Sequence, residues 1–118
     1  MKIVVKSWGE EDWVVNNELY CFKILRLNEG KSCSYHYHAK KDETFFIIDG
    51  KVFFYIDGET IILKEGSTLR LKPGTSHLFK AIDNDAVIFE VSTQHFDSDT
   101  HRIDMYAGSC TSEGQTCG

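Results

Sequence analysis

Three histidines and one glutamate in this chain have the types and the spacing of a single metal site. His36 and His38 are two residues apart, so in a β-strand both imidazoles point to the same face. Glu43 follows a charged loop that lets the chain reverse, and His77 follows a Pro-Gly turn further along. A lone strand histidine is usually a surface or core residue, but together these four offer three neutral nitrogens and one carboxylate. This donor set predicts one divalent transition metal, and Zn, Mn, Fe, Ni, Co and Cu all fit it.

The elements that must position these residues have the pattern of short β-strands. Apolar or alternating runs are separated at regular intervals by turn residues, which is typical of a sandwich or a small barrel. The predicted strands cover 19–27, 32–38, 43–48, 51–56, 59–63, 67–71, 77–82 and 86–92. The Asp49-Gly50 and Asp57-Gly58 pairs are the strongest hairpin signals. We therefore expect an all-β fold in which two antiparallel sheets enclose a ligand cavity.

Length, charge and composition narrow the classes of partner. The chain has 118 residues, enough for one domain, which we expect over 1–108 with a short, irregular and disordered tail over 109–118. The net charge is −5 without a basic stripe, so neither nucleic acid nor an anionic membrane is expected as a partner. No stretch is apolar enough for a signal peptide or a membrane span, so we expect a cytoplasmic protein.

The first group of ligands lies in a segment that resembles a known sequence motif. Gly30-x5-His36-x-His38-x4-Glu43-x6-Gly50 resembles the first motif of the cupin superfamily, with every signature residue present. The resemblance implies a small, jelly-roll-like cupin β-barrel of two antiparallel sheets, with the metal bound inside it.

The fourth ligand lies in a segment that resembles the second cupin motif. Gly66, followed by Pro73-Gly74-x2-His77, matches that motif, which usually has proline and asparagine where this chain has Lys72 and Ala81. Neither departure removes a ligand. Cupins include isomerases, dioxygenases, decarboxylases, epimerases and plain binding proteins, so the motifs predict the fold without naming the reaction.

A finer resemblance points to sugar chemistry. Lys6-Ser7-Trp8-Gly9 is similar to the beginning of the cupin domain of type II mannose-6-phosphate isomerases, and Asp97-x-Asp99-x2-Arg102-x2-Asp104-x-Tyr106 is similar to its end. That family usually has three residues before its glutamate and a histidine after it, whereas this chain has four residues and Thr44. The resemblance implies a sugar or sugar-phosphate isomerase that moves a proton between C1 and C2 by metal-assisted enediol chemistry.

Further residues are predicted around the site. Lys72 is a candidate for the general base or for a phosphate contact, although a solvated turn lysine explains it as well. Arg70 and Arg102 could each bind a phosphate through two parallel hydrogen bonds, or pair with a surface carboxylate. Phe45 and Phe79 share strand parity with the ligands that begin their strands, so we expect them to line the metal cavity.

Two other classes of function stay open at the level of sequence. Three histidines and a glutamate around iron or nickel also serve cupin dioxygenases, whose pocket would need an apolar wall. A non-catalytic module could bind a metal or a sugar without turning anything over. In each case we expect a small-molecule ligand. We also expect a homodimer in which the apolar Trp8–Val15 segment contacts a second copy.

Overall fold

The computed structural model describes residues 1–104, which form nine β-strands and one short 3-10 helix. The strands are β1 (Lys2–Lys6), β2 (Gly9–Asn16), β3 (Cys21–Leu27), β4 (His36–His38), β5 (Glu43–Ile56), β6 (Glu59–Lys64), β7 (Thr68–Leu71), β8 (His77–Ser92) and β9 (Thr100–Arg102), with the 3-10 helix at Asp97–Asp99. The predicted tail, 109–118, lies outside the described residues. Within the described part of the chain, no helix has the length and apolar character needed to cross a membrane.

The two longest strands, β5 and β8, each bend in the middle. The buried residues of β5 are odd-numbered up to Ile47 and even-numbered from Val52, so an extra residue is accommodated between them. The register shifts on either side of Asp49 in the β5–β8 pairing mark the same irregularity. β8 changes phase around Asp83, which has a positive φ of 70°. Such bulges turn a strand from one sheet to another, so each long strand belongs to both halves of the barrel.

The two halves of the barrel share these bent strands. The first half contains, in order, β7, the 43–49 part of β5, the 86–92 part of β8, then β3, β2 and β1. The second half contains β6, the 51–56 part of β5, the 77–82 part of β8, then β4 and β9. All of these pairings are antiparallel, which confirms the predicted all-β, jelly-roll-like fold as one curled sheet.

Aromatic residues from the two halves meet in the core. Phe45 from the first half packs against Phe54 and Phe79 from the second, with both pairs of ring centroids 5.9 Å apart. Trp8 packs edge-on against Phe79 with its centroid at 5.2 Å and is buried in its own chain. Burial of each such ring contributes about 1.5–3 kcal/mol. Trp8 therefore needs no second copy to cover it, and a dimer contact by the rest of the Trp8–Val15 segment stays a prediction.

One of the two predicted hairpins forms and the other does not. Asp57-Gly58 connects β5 to β6, as expected. Asp49-Gly50 instead forms the bulge inside β5. Gly50 has a φ of +84°, and a Cβ there would lie 2.7 Å from the carbonyl oxygen of Asp85. The close approach of the β8 bulge, rather than a chain reversal, is what requires glycine at this position.

The strands β1 and β2 were not predicted from the sequence. Three of the five residues on their inward faces are charged, because these strands border a cavity and not the core. These cavity-facing residues are Lys2, Val4, Lys6, Glu11 and Trp13. A strand with charges on its inward face lacks the alternation by which strands are recognised.

Candidate metal centre

The four predicted ligands come from three strands that meet at one side of the barrel. His36 and His38 lie on β4, while Glu43 and His77 begin β5 and β8. His36 pairs directly with His77 across the β4–β8 ladder. The ring centroid of His36 is consequently 4.5 Å from that of His77 and 5.0 Å from that of His38. One nitrogen from each of the three imidazoles lies within 4.8 Å of the others.

Glu43 joins the three histidines. Its Oε2 atom is 3.7 Å from Nε2 of His38 and 3.4 Å from Nε2 of His77. The carboxylate is 3% exposed, so it faces the imidazoles and not solvent. The structure thus brings together all four of the residues that the sequence predicts as ligands.

The second nitrogen of each imidazole faces a backbone carbonyl. The Nδ1 atoms of His36, His77 and His38 lie 2.7, 2.9 and 3.2 Å from the carbonyl oxygens of Ser34, Thr75 and Asp99. A carbonyl oxygen only accepts hydrogen bonds, so each Nδ1 carries the hydrogen and donates it. The lone pair of each Nε2 is therefore left for a metal, with the outer hydrogen bond that metal-binding histidines usually make.

Burial keeps these imidazoles neutral. It lowers the pKa of His36 to about 3, assisted by the neighbouring His77. It lowers the pKa of His77 to about 4, although the Thr75 carbonyl opposes the shift. It lowers the pKa of His38 to about 2, assisted by the positive charge of Lys41. Neutral imidazole is the form that binds a metal, so the residues present fit a divalent cation.

The carboxyl group of Glu43 has the opposite shift. Burial, and then the negative charge of Glu90, raise its pKa to about 8. A buried carboxylate without a cation is costly, and a bound metal would favour its ionised form. The donor set and its electrostatics therefore both suit a cation at this position.

A buried charged cluster that the sequence analysis missed lies beside Glu43. Lys41 donates a hydrogen bond to Oε2 of Glu90 at 2.9 Å, and its Nζ atom is 3.0 Å from Nδ1 of His95 and 3.5 Å from Oε1 of Glu43. Burial alone would lower the pKa of Lys41, but Glu90 and Glu43 raise it. Burial alone would raise the pKa of Glu90, but Lys41 and Lys23 hold it below its usual value.

One signal for this cluster was present in the sequence. Glu90 interrupts the apolar run 86–92 and shares strand parity with the buried Ile88. A charged residue at an inward position of a strand needs a partner or a function.

Asp99 holds the loop that carries Lys41. Its buried carboxylate accepts hydrogen bonds from the backbone N–H groups of Ala39, Lys40 and Lys41, at 2.9 to 3.2 Å. The carbonyl oxygen of the same residue accepts the Nδ1 hydrogen of His38. One residue near the end of the described chain therefore fixes both a ligand and the loop between the ligands of β4 and β5.

The ligands open onto a cavity of about 460 Å³. Phe45 and Phe79 line it, together with Trp8 and Leu25, and form an apolar side. The other side is charged. Its ionisable residues are Lys2, Lys6, Glu11, Lys23, Lys41, Glu90, His95, Asp97 and Arg102. A ligand in this cavity would meet the metal site, an apolar surface and a charged wall together.

Arg70 and Lys72, predicted as catalytic or phosphate-binding residues, do not line this cavity. Arg70 is exposed and pairs with Asp42 through two hydrogen bonds of 2.6 and 3.1 Å. Lys72 is exposed in the turn before Pro73. The structure therefore favours the surface interpretation of both residues, whereas Arg102 does line the cavity.

Comparisons with known proteins agree with this architecture. Residues 23–93 match the family described as Cupin domain. No curated protein matches the sequence. KdgF from Halomonas sp. superposes with a TM-score of 0.74 at 16% identity, over 83% of this chain and 90% of that one. An uncharacterized protein with a double-stranded β-helix domain from Klebsiella pneumoniae gives 0.71 at 15% identity, over 87% and 85%.

A third similar structure is the capsular polysaccharide assembling protein CapF from Staphylococcus aureus. It gives a TM-score of 0.74 at 19% identity, over 88% of this chain and 34% of that one. At these identities the similarity shows a shared fold, so the chemistry has to be argued from the residues themselves.

Proposed function

This chain belongs to the cupin family, and we propose that it is a metal-dependent isomerase of sugars or sugar phosphates, comparable in reaction to the mannose-6-phosphate isomerases. The observation that carries the proposal is a cluster of three histidines, with Glu43 beside it, on a cavity with one charged and one apolar side. A sugar has hydroxyl groups that need polar partners and C–H faces that pack on aromatic rings, so it matches both sides.

In this reaction the metal would act as a Lewis acid, and side chains of the protein would transfer the proton. A divalent transition metal held by His36, His38, Glu43 and His77 would supply Lewis acidity to the sugar carbonyl and the neighbouring hydroxyl. The hydrogen bonds that each Nδ1 donates to a backbone carbonyl orient the imidazoles for that purpose. The protein has to move the proton between C2 and C1, which requires a base and an acid close to the ligands.

The Lys41–Glu90–His95 cluster is our candidate for this proton transfer. Glu90 is held ionised by Lys41, so it can take the C2 proton and return it to C1 of the enediol. Lys41 carries a proton at Nζ that it can donate to the C1 oxygen as the enediol forms, and it can take the proton of the C2 hydroxyl as the new carbonyl forms, so it ends the reaction protonated again. Both side chains line the cavity beside Glu43, which Arg70 and Lys72 do not.

Deuterium exchange tests the proposal directly. Metal-loaded protein is incubated in D2O with aldoses, ketoses and their 6-phosphates, and NMR follows deuterium at C2. We expect exchange on one sugar, and a loss of about 100-fold or more in Glu90→Gln with unchanged metal content. Full exchange in Glu90→Gln would refute the role of the cluster.

Failure of all sugars to exchange would refute the isomerase. Oxygen uptake with a small organic substrate would then favour a cupin dioxygenase, for which the apolar side formed by Phe45, Phe79 and Trp8 is the relevant feature. Sugar binding without exchange or oxygen uptake would favour a binding module.

A further inference from the structure

The cavity is lined by one more basic side chain than carboxylate, although the protein as a whole is negative. The chain has a net charge of −5, yet five basic side chains and four carboxylates line the cavity. The basic residues are Lys2, Lys6, Lys23, Lys41 and Arg102, and the carboxylates belong to Glu11, Glu43, Glu90 and Asp97. A divalent cation would make the cavity more positive still. A cavity with a net positive charge in a negatively charged protein favours anionic ligands.

The four carboxylates are already paired within the wall. The pairs are Glu43 with His38, His77 and Lys41, Glu90 with Lys41, Glu11 with Lys23 and Trp13, and Asp97 with His95. Lys41 therefore compensates negative charge on Glu43 and Glu90, and Lys23 compensates that of Glu11. Among the basic side chains, Lys2 and Lys6 form no ion pair within residues 1–104, and Lys23 shares the single carboxylate of Glu11 with the Trp13 indole.

Lys2 and Lys6 face the cavity from the edge strand β1. Together with Val4 they form the face of that strand that lines the cavity. The Nζ atom of Lys2 lies over the ring of Trp13, 4.6 Å from its centroid. In the part of the chain that the structure describes, neither lysine forms an ion pair with a carboxylate.

Lys23 is the buried member of the set. It is 1% exposed, and its Nζ atom lies 4.1 Å from the centroid of the Trp13 ring, which Lys2 also contacts. An ammonium group has three hydrogens to donate. Among the residues 1–104, only Glu11 accepts one of them, at 3.2 Å, and Oε1 of Glu11 also accepts the indole hydrogen of Trp13. A buried ammonium with unused donors on a cavity wall is stabilised by an anionic ligand.

We propose that Lys2, Lys6 and Lys23 form an anion-binding wall that holds the charged group of the substrate, so that the substrate is an anionic sugar. Phosphate and carboxylate groups share the required chemistry, because both accept charge-assisted hydrogen bonds from ammonium groups. Both sugar phosphates and sugar acids therefore fit. The inference rests on the proposed function for the sugar, while the binding of an anion stands on the lysines alone.

Binding measurements on the full chain test this without turnover. Manganese-loaded protein is titrated by calorimetry with mannose, mannose 6-phosphate and glucuronate. We expect one of the two anions to bind at least about tenfold more tightly than mannose, the gain of one charge-assisted hydrogen bond. The preferred anion distinguishes a sugar phosphate from a sugar acid.

Two variants and a matched control test whether the tighter binding of an anion depends on the anion-binding wall. Lys6→Gln and Lys23→Gln should each weaken anion binding about tenfold and leave mannose binding unchanged. Lys64→Gln on the outer strand β6 removes the same charge from an exposed position outside the cavity and should bind as the wild type does. Because Lys23 is buried and its variant could unfold, Lys6→Gln on the edge strand decides the test.

The outcomes separate this proposal from the isomerase. Equal binding of all three sugars, or wild-type anion binding by Lys6→Gln, would overturn the anion-binding wall. Selective anion binding that is lost in Lys6→Gln would support the wall, even in a protein that exchanges no C2 proton. Exchange on a neutral sugar with no preference for anions would support the isomerase and refute the wall.

Discussion

Metal binding at the candidate centre should depend on which nitrogen of each imidazole is left unprotonated. Backbone carbonyls fix the hydrogen on Nδ1 in all three histidines. If one histidine is removed, the other two therefore cannot rotate to offer a second nitrogen in its place. Loss of a residue that only supports a ligand lowers metal affinity about 10–100-fold. We expect His77→Ala, which removes a candidate ligand itself, to lower it by at least as much. Metal content after dialysis measures this. Lys64→Gln is the control, because Lys64 is exposed on β6 outside the cavity, and equal content in both variants would contradict the assignment.

Metal binding should also tighten as the pH rises, because of Glu43. In the metal-free protein its pKa is raised to about 8, so at neutral pH a metal must displace its proton. The imidazoles have lowered pKa values and hold no proton in that range. We expect affinity to rise up to about tenfold per pH unit below about pH 8 and to level off above it. Calorimetry in buffers of different ionisation enthalpy should show proton release at pH 7, and its persistence in Glu43→Gln would contradict this origin.

The ligands could be predicted from the sequence because they obey local rules. Two histidines at a spacing of two share a face of any strand, whatever the fold around them. The Lys41–Glu90–His95 cluster depends instead on the register between distant strands, in which Phe45 pairs with Glu90. Nothing near Lys41 in the sequence indicates that register, so spacing alone could not place the cluster beside the metal site.

Among the elements, the loop between β4 and β5 depends on one distant residue. Asp99 accepts hydrogen bonds from three consecutive backbone N–H groups of that loop. Asp99→Asn keeps the shape but replaces one accepting oxygen by a donor, so the loop and Lys41 should loosen. We expect metal affinity to fall about 10-fold or more, measured by competition with a chelator. Asp49→Asn, an exposed change of the same kind, should have no effect, and equal affinity in the two variants would contradict the role of Asp99.

The bulge of β5 leads to a second prediction at the scale of an element, which concerns stability. Gly50→Ala forces a Cβ to 2.7 Å from the Asp85 carbonyl oxygen, in addition to the strain of a positive φ. Gly66→Ala has a similar φ of +88° but nothing within 4 Å of the new Cβ. We expect Gly66→Ala to lower the free energy of unfolding by about 1–2 kcal/mol and Gly50→Ala by more. Chemical denaturation compares them, and equal losses would show that the approach of β8 does not matter.

The same bulge explains why strand boundaries were harder to predict than strands. Asp49-Gly50 and Asp57-Gly58 both contain a glycine at positive φ, at +84° and +90°. Local sequence signals that conformation, but a bulge and a hairpin both use it. Which of the two forms depends on whether β8 continues alongside, and that is a property of the whole sheet.

For the whole molecule, the edge strand β1 is the feature that bears on assembly. Its inner face lines the cavity, while Ile3 and Val5 on the other face are 56% and 81% exposed. Exposed apolar edges are commonly covered by pairing with a second copy. We expect a homodimer by sedimentation equilibrium, converted to monomer by a Val5→Lys change that leaves the cavity face intact. Lys64→Gln is again the control, and a monomeric wild-type protein would contradict this expectation.

The central place of β8 has a consequence for the order in which the molecule can assemble. β8 pairs with β3, β4 and β5. Cys21, the first residue of β3, pairs with Ser92, the last residue of β8. Chains are made at about 5–20 residues per second, so His36 and His38 leave the ribosome seconds before β8 and Asp99 exist to orient them. Contacts this distant in sequence also close slowly. The first two ligands are therefore available to any metal ion near the nascent chain before the site that would select among those ions has formed.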